Sequence, residues 1–155
     1  MENNINDYME AYLGHLKSAV LWFHAAHHVT KGAGFASDHK ELYGKIYSHL
    51  DDNYDLLIEK SIVLSGDEMI ACPLKSSRMV KKILCTRYET PANKKSRQIV
   101  HDAIVLISDL INSLSHLYES FKVSGYLTLG MEDALTSMSS EYEQYLYLLG
   151  QRYKE

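Results

Sequence analysis

Apolar residues recur at alternating steps of three and four along four long stretches of the chain, the spacing that lines one face of an α-helix. In the first stretch Met9, Leu13, Leu16, Val20, Phe23 and His27 form the stripe. This predicts a helix from about residue 5 to about residue 30, stopped by Lys31-Gly32-Ala33-Gly34. The second begins around Ala36, with Ser37 or Asp38 placed to cap it; its stripe is His39, Tyr43, Ile46, Leu50, Leu57 and Leu64, and Ser65-Gly66-Asp67 ends it. In the third, Thr90 caps and Pro91 takes the first helical position, where its missing N–H costs nothing. Val100, Ala103, Ile107, Leu110, Leu114, Leu117 and Phe121 follow, closed near Gly125. The fourth starts after Thr128-Leu129-Gly130 and carries Met131, Leu135, Met138, Tyr142, Tyr145 and Leu149.

Three-four spacing sustained in four segments suits near-parallel packing of helices at about +20°. About 24 residues separate the second and third segments, too many for a hairpin loop, and Leu74, Val80, Ile83 and Leu84 predict a short helix within them. The fold class is therefore all-α: two helical hairpins joined by one long crossover, the plan of a ferritin-like four-helix bundle. A length of 155 residues, 46% of them apolar, fits one domain over 1–155, and two prolines and eight glycines are too few for a many-turned β-fold. No apolar run reaches the roughly 18–20 residues that span a bilayer, so no membrane partner is expected. The start Met-Glu-Asn-Asn-Ile-Asn-Asp lacks the pattern of a signal peptide. With Cys72 and Cys85 as the only cysteines, a reduced, cytoplasmic setting is expected.

The net charge of −4 is unevenly spread. Lys75, Arg78, Lys81, Lys82, Arg87, Lys94, Lys95 and Arg97 face a single acid, Glu89, in that stretch, a local +7 on a body of −11. Such a segment is either a solvated surface or a dock for phosphates or an acidic partner. No aromatic interleaving or nucleic-acid motif favours the second reading.

Eight histidines raise the question of metal. His24, His27 and His28 lie within about one turn, and neutral imidazole binds iron or zinc. Asp55 and Glu59, four residues apart, project from one helix face, where they are either hard oxygen donors or part of a solvated acidic surface. The sequence has no Glu-x-x-His, the spacing that a di-iron site inside one bundle requires on two helices. It also has no phosphate-binding glycine loop, no Gly-x-Ser-x-Gly and no Cys-x-x-Cys.

The stretch from His27-His28-Val29-Thr30-Lys31-Gly32 through Phe35 to His39 resembles the mini-ferritins of the Dps type. Their signature is His, eleven residues, His, three residues, Asp, ten residues, Asp, three residues, Glu, with Lys-Gly-x-x-Phe between the histidines. His27 and His39 match at the right separation, with Lys31, Gly32 and Phe35 in place. Glu59 to Gly66 looks like the family's end of the second helix, which makes Asp55 and Glu59 the acidic pair. Small ferritin-like proteins of some tailed phages share this shorter pattern. Two departures stand out. Tyr43 occupies the place of the first Asp ligand, and Asp55 follows His39 by sixteen residues where the signature has fifteen. On a straight helix that register turns Asp55 about 160° away from His39; a π-bulge between about 44 and 54 would restore the face.

The resemblance implies a homo-oligomer of twelve subunits around a hollow interior, with iron sites shared across two-fold interfaces. His27 and His39 would come from one subunit and Asp55 and Glu59 from its partner. Tyr43 would be a poor ligand or an electron donor. Fe(II) would bind there, pass electrons to peroxide or oxygen, and leave ferric mineral inside, giving iron storage and protection from oxidative damage. The alternative is a non-catalytic ferritin-like structural or binding protein with a degenerate metal site. Dps proteins often bind DNA through a lysine-rich N-terminal tail, but the first sixteen residues here hold Glu2, Asp7 and Glu10 and no lysine or arginine. Strong DNA binding is therefore not expected.

Overall fold

The structure, a computed structural model, describes residues 5–154; Glu2 of the acidic N-terminal stretch lies outside them. Five α-helices carry the fold: α1 (Ile5–Val29), α2 (Lys45–Ser65), α3 (Pro73–Arg87), α4 (Ser96–Ser124) and α5 (Leu129–Tyr153). A π-helical segment, Ser37–Gly44, runs directly into α2, and one turn of 3-10 helix, Glu68–Ala71, precedes α3. No strand occurs among the described residues. The helices α1, α2, α4 and α5 form the bundle, and α3 is the short helix of the crossover, lying against α1. No helix among the described residues is long and apolar enough to cross a membrane.

The core is the set of stripes read from the sequence, with corrections at its ends. Met9, Leu13, Leu16, Val20 and Phe23 are buried on α1, but His27 is only half-buried and Ala26 closes the stripe in its place. A straight helix drifts about 20° per heptad relative to a strict three-four repeat, so eighteen residues beyond Met9 the pattern has rotated about 50° off the core. On the second hairpin arm Tyr43, Ile46, Leu50 and Leu57 are buried, His39 is half-buried and Leu64 is exposed. Neither Ser37 nor Asp38 caps this arm. Asp38 is instead buried, and Arg152 near the end of α5 donates to both its oxygens, Nε to Oδ1 at 2.9 Å and Nη2 to Oδ2 at 3.1 Å.

The start of α4 also differs from expectation. Thr90 Oγ1 accepts from Ala92 N, which makes a local turn, and Asn93 then takes a left-handed φ of 63° that no helix can pass through. The helix begins five residues after Pro91, at Ser96, with Lys95 as N-cap and Gln98 Oε1 accepting from the Lys95 N–H. The displaced loop is tied to the end of α1: the Lys31 ammonium donates to Lys94 O, and Ser96 Oγ donates to Lys31 O. The glycine ends of α2 and α4 follow the sequence, whereas α5 starts at Leu129, two residues earlier than expected. Gly66 and Gly125 close α2 and α4 in the left-handed conformation, and Thr128 Oγ1 accepts from Met131 N at the start of α5.

The π-helix lies upstream of the interval where a bulge was expected. Each i→i+5 turn takes in one residue more than an α-turn, so the chain beyond it lags by roughly 100°. The lag carries α2 partway back toward the face of His39.

Candidate metal centre

Past Val29 the chain turns back at Gly32, and the π-segment comes to lie beside the last turns of α1. This brings His27 and His39 ring to ring, with centroids 3.7 Å apart and planes 16° from parallel. Their bonds are reciprocal: His27 Nδ1 donates to the His39 carbonyl at 2.5 Å, and His39 Nδ1 donates to the His27 carbonyl at 2.6 Å. A carbonyl only accepts, so in each ring Nδ1 carries a proton, and in the neutral imidazole Nε2 keeps its lone pair. This is the arrangement that orients a metal-binding imidazole from behind. Phe35 stacks on His39 at 5.0 Å, extending the pile to three rings.

Gly44 permits this contact, and its role was not read from the sequence. A Cβ there would lie 2.8 Å from His39 O and 3.3 Å from His27 Nδ1, inside the hydrogen bond that joins them. The readable signal was a glycine five residues after a candidate ligand within a helical pattern.

Asp55 and Glu59 are exposed on α2, on the face opposite Leu50 and Leu57. Within one chain they do not meet the histidine pair, and among the described residues no three His, Cys, Asp or Glu side chains gather around a common point. Tyr43 is fully buried, its ring beside Phe23 at 6.2 Å, and its hydroxyl has no hydrogen-bond partner. Burial pushes its phenol well above the usual range, so it stays protonated at neutral pH.

The middle of the bundle holds a different polar set. Tyr12 and Tyr142 hydroxyls lie 3.0 Å apart, and Asn53 Nδ2 donates to Tyr142 Oη and to Glu141 Oε1. Tyr145 donates to Glu141 at 2.8 Å and accepts from His49 Nδ1 at 2.7 Å. Burial holds Tyr142 up at about 12 and pushes Tyr12 and Tyr145 well above the usual phenol range. These hydroxyls are neutral donors and acceptors rather than ligands.

The basic stretch is partly neutralised. Lys75 pairs with Glu10 at 3.1 Å, and Lys94 pairs with Glu89 at 2.8 Å and Asp102 at 2.6 Å. Arg97 lies over the ring of Tyr153. Cys72 and Cys85 are both free thiols.

Two imidazole nitrogens are borderline donors that suit Fe(II) once oxygen donors from elsewhere complete the set. The chain matches the structure of Mycobacterium smegmatis Dps in its tetragonal form with a TM-score of 0.75 and 14% identity, over 94% of this chain and 82% of that one. No protein-family model and no curated protein sequence matches the chain. At that identity the likeness establishes the fold: this is a ferritin-like helical bundle.

Proposed function

We propose that the chain is a Dps-like mini-ferritin that binds and oxidises Fe(II) as its substrate. The observation that carries this reading is the reciprocal His27–His39 pair, which leaves two Nε2 lone pairs side by side at the edge of the bundle. Asp55 and Glu59 are exposed and do not join that pair within one chain, so a complete donor set requires a second copy of the chain. A homo-oligomer with two-fold interfaces, closing at twelve in the manner the resemblance implies, would supply it. The imidazoles hold the ion, and the two carboxylates favour the higher charge of Fe(III). Each Fe(II) gives up one electron, so two ions, with two protons from solvent, reduce one hydrogen peroxide to two waters. Storage of iron and protection from oxidative damage follow, in a cytoplasmic protein. Fe(II) titration of the purified protein with and without peroxide tests the proposal. Saturable binding with ferric absorbance is expected, and the absence of both overturns it.

A second reading has one observation in its favour. Tyr43, where the family carries an Asp ligand, is sealed in the core and offers no oxygen to a metal at the surface. On this reading the fold serves as a structural or binding module. Elemental analysis after iron loading, together with the mass in solution, separates the two: a metal-free oligomer favours the module.

A further inference from the structure

The last turns of α1 carry a second pair of histidines that neither His27 nor His39 belongs to. His24 and His28 are exposed and four residues apart, the spacing that sets two side chains on one face of a helix. Their Nε2 atoms are 3.2 Å apart, while their ring centroids are 4.6 Å apart. The rings therefore converge on their Nε2 edges. With metal–nitrogen bonds of about 2.0–2.1 Å, two nitrogens at this separation subtend about 100–106° at a common ion, close to tetrahedral.

Both rings are braced from behind. His24 stacks on half-buried Tyr47 of α2 at 4.4 Å, with planes 29° apart. His28 meets the ring of His27 edge-on at 5.2 Å, and His27 is itself fixed by its bonds with His39. Ordinary surface histidines sample several rotamers, and the cost of ordering them opposes chelation; here packing has already restricted them.

We propose that His24 and His28 form a separate two-histidine chelate for a borderline divalent transition ion, Cu2+ or Zn2+. Two-nitrogen donor sets hold Cu2+ more tightly than Zn2+. The pair shares its spacing with helical His-Glu-x-x-His zinc sites, but Ala25 stands where those carry the general base. The site therefore binds its ion without activating water for hydrolysis, and solvent completes the coordination. This assignment is independent of the Fe(II) reading.

Titration of the intact protein with Cu2+ alone, followed by electron paramagnetic resonance, and with Zn2+ alone against a chromophoric chelator tests it. The expected result is one Cu2+ per chain with coupling to two nitrogens. His24→Gln and His28→Gln each weaken binding of either ion by at least about tenfold, the scale on which even outer-shell contacts matter. His116→Gln, at an exposed histidine of α4 outside both pairs, leaves the signal in place. The proposal is overturned by a wild-type spectrum without two-nitrogen coupling, or by its persistence in the His24→Gln/His28→Gln double variant. Its loss in His116→Gln alone also overturns it.

Discussion

Arg152 clamps the carboxylate of Asp38, joining the last turn of the bundle's last helix to the first turn of the π-segment. The Asp38 side chain is 2% exposed and that of Arg152 is 21% exposed, so the guanidinium meets the acid where water does not. Arg152→Ala strands a buried carboxylate and is expected to cost about 3 kcal/mol in urea unfolding. Asp38→Asn with Arg152→Met removes both charges together and is expected to cost less than the single change. Equal losses would show that the pair is not coupled.

Gly44→Ala tests the histidine pair without touching either ring. The added methyl group meets the His39 carbonyl, a backbone atom that cannot swing aside. A loss of about 1–3 kcal/mol is expected from overpacking. In nitrogen-15 spectra the Nδ1–H signals of His27 and His39 should both shift, and Fe(II) affinity should fall with them.

His15 gives the stability a pH slope. Tyr88 donates its hydroxyl proton to Asp109 at 2.9 Å, so His15 Nε2 must donate to the Tyr88 oxygen at 2.7 Å. Burial, and then the charge of Arg87, lowers the imidazole from its ordinary 6.5 to about 4. The unfolded chain therefore takes up this proton first as the pH falls. The stability tied to His15 is complete above about pH 6.5 and is lost progressively toward pH 4, by about 2 kcal/mol at pH 5. Urea unfolding at pH 7 and pH 5 should show that difference in the wild type relative to His15→Gln, which keeps a donor for Tyr88.

A site shared between copies can be rebuilt from two broken halves. His27→Gln/His39→Gln and Asp55→Asn/Glu59→Gln should each abolish Fe(II) oxidation when pure. Asp55 and Glu59 are exposed, so their double variant should unfold within about 0.5 kcal/mol of the wild type. Co-expressed, the two variants should regain part of the activity, because some interfaces then pair intact histidines with intact carboxylates. Persistent inactivity of the mixture would argue against sharing.

Gel shifts with duplex DNA at ~150 mM salt should show no tight retardation. Lys75 and Lys94 are already paired with acids of the same chain, which lowers the number of phosphates the basic stretch can neutralise. Retardation that disappears when Lys81, Lys82 and Lys95 become glutamate would reverse this expectation.

Helix number, the crossover helix and most of the buried stripe were legible in the sequence because period and burial obey the same geometry. The start of α4 was not, since Thr90-Pro91 reads as a helix start until Asn93 adopts its left-handed turn. Asp38 read as a cap because its true partner lies 114 residues away. The His27–His39 pair was legible as a spacing, but the tautomers depend on two backbone carbonyls, and a sequence does not reveal where a carbonyl points. The need for π-geometry followed from one surplus residue. Its place at Ser37–Gly44, earlier than expected, is tied to the close passage of His27 over Gly44.

The run of hydroxyls from Tyr12 through Tyr142, Asn53, Glu141 and Tyr145 to His49 also settles how three rods can slide. Leucine stripes are nearly self-similar from one turn to the next, so apolar packing alone discriminates poorly between a bundle and the same bundle shifted lengthwise by about 5.4 Å. Such a displacement of α5 would part Tyr142 from Tyr12 on α1 and Tyr145 from His49 on α2 in a single movement. Tyr12 would be left shut away from water with its hydroxyl unbonded, at about 1–3 kcal/mol, while His49, which is exposed, would turn to solvent. The tyrosines thus act as detents, holding three helices at one axial position while the oily surfaces around them would tolerate several.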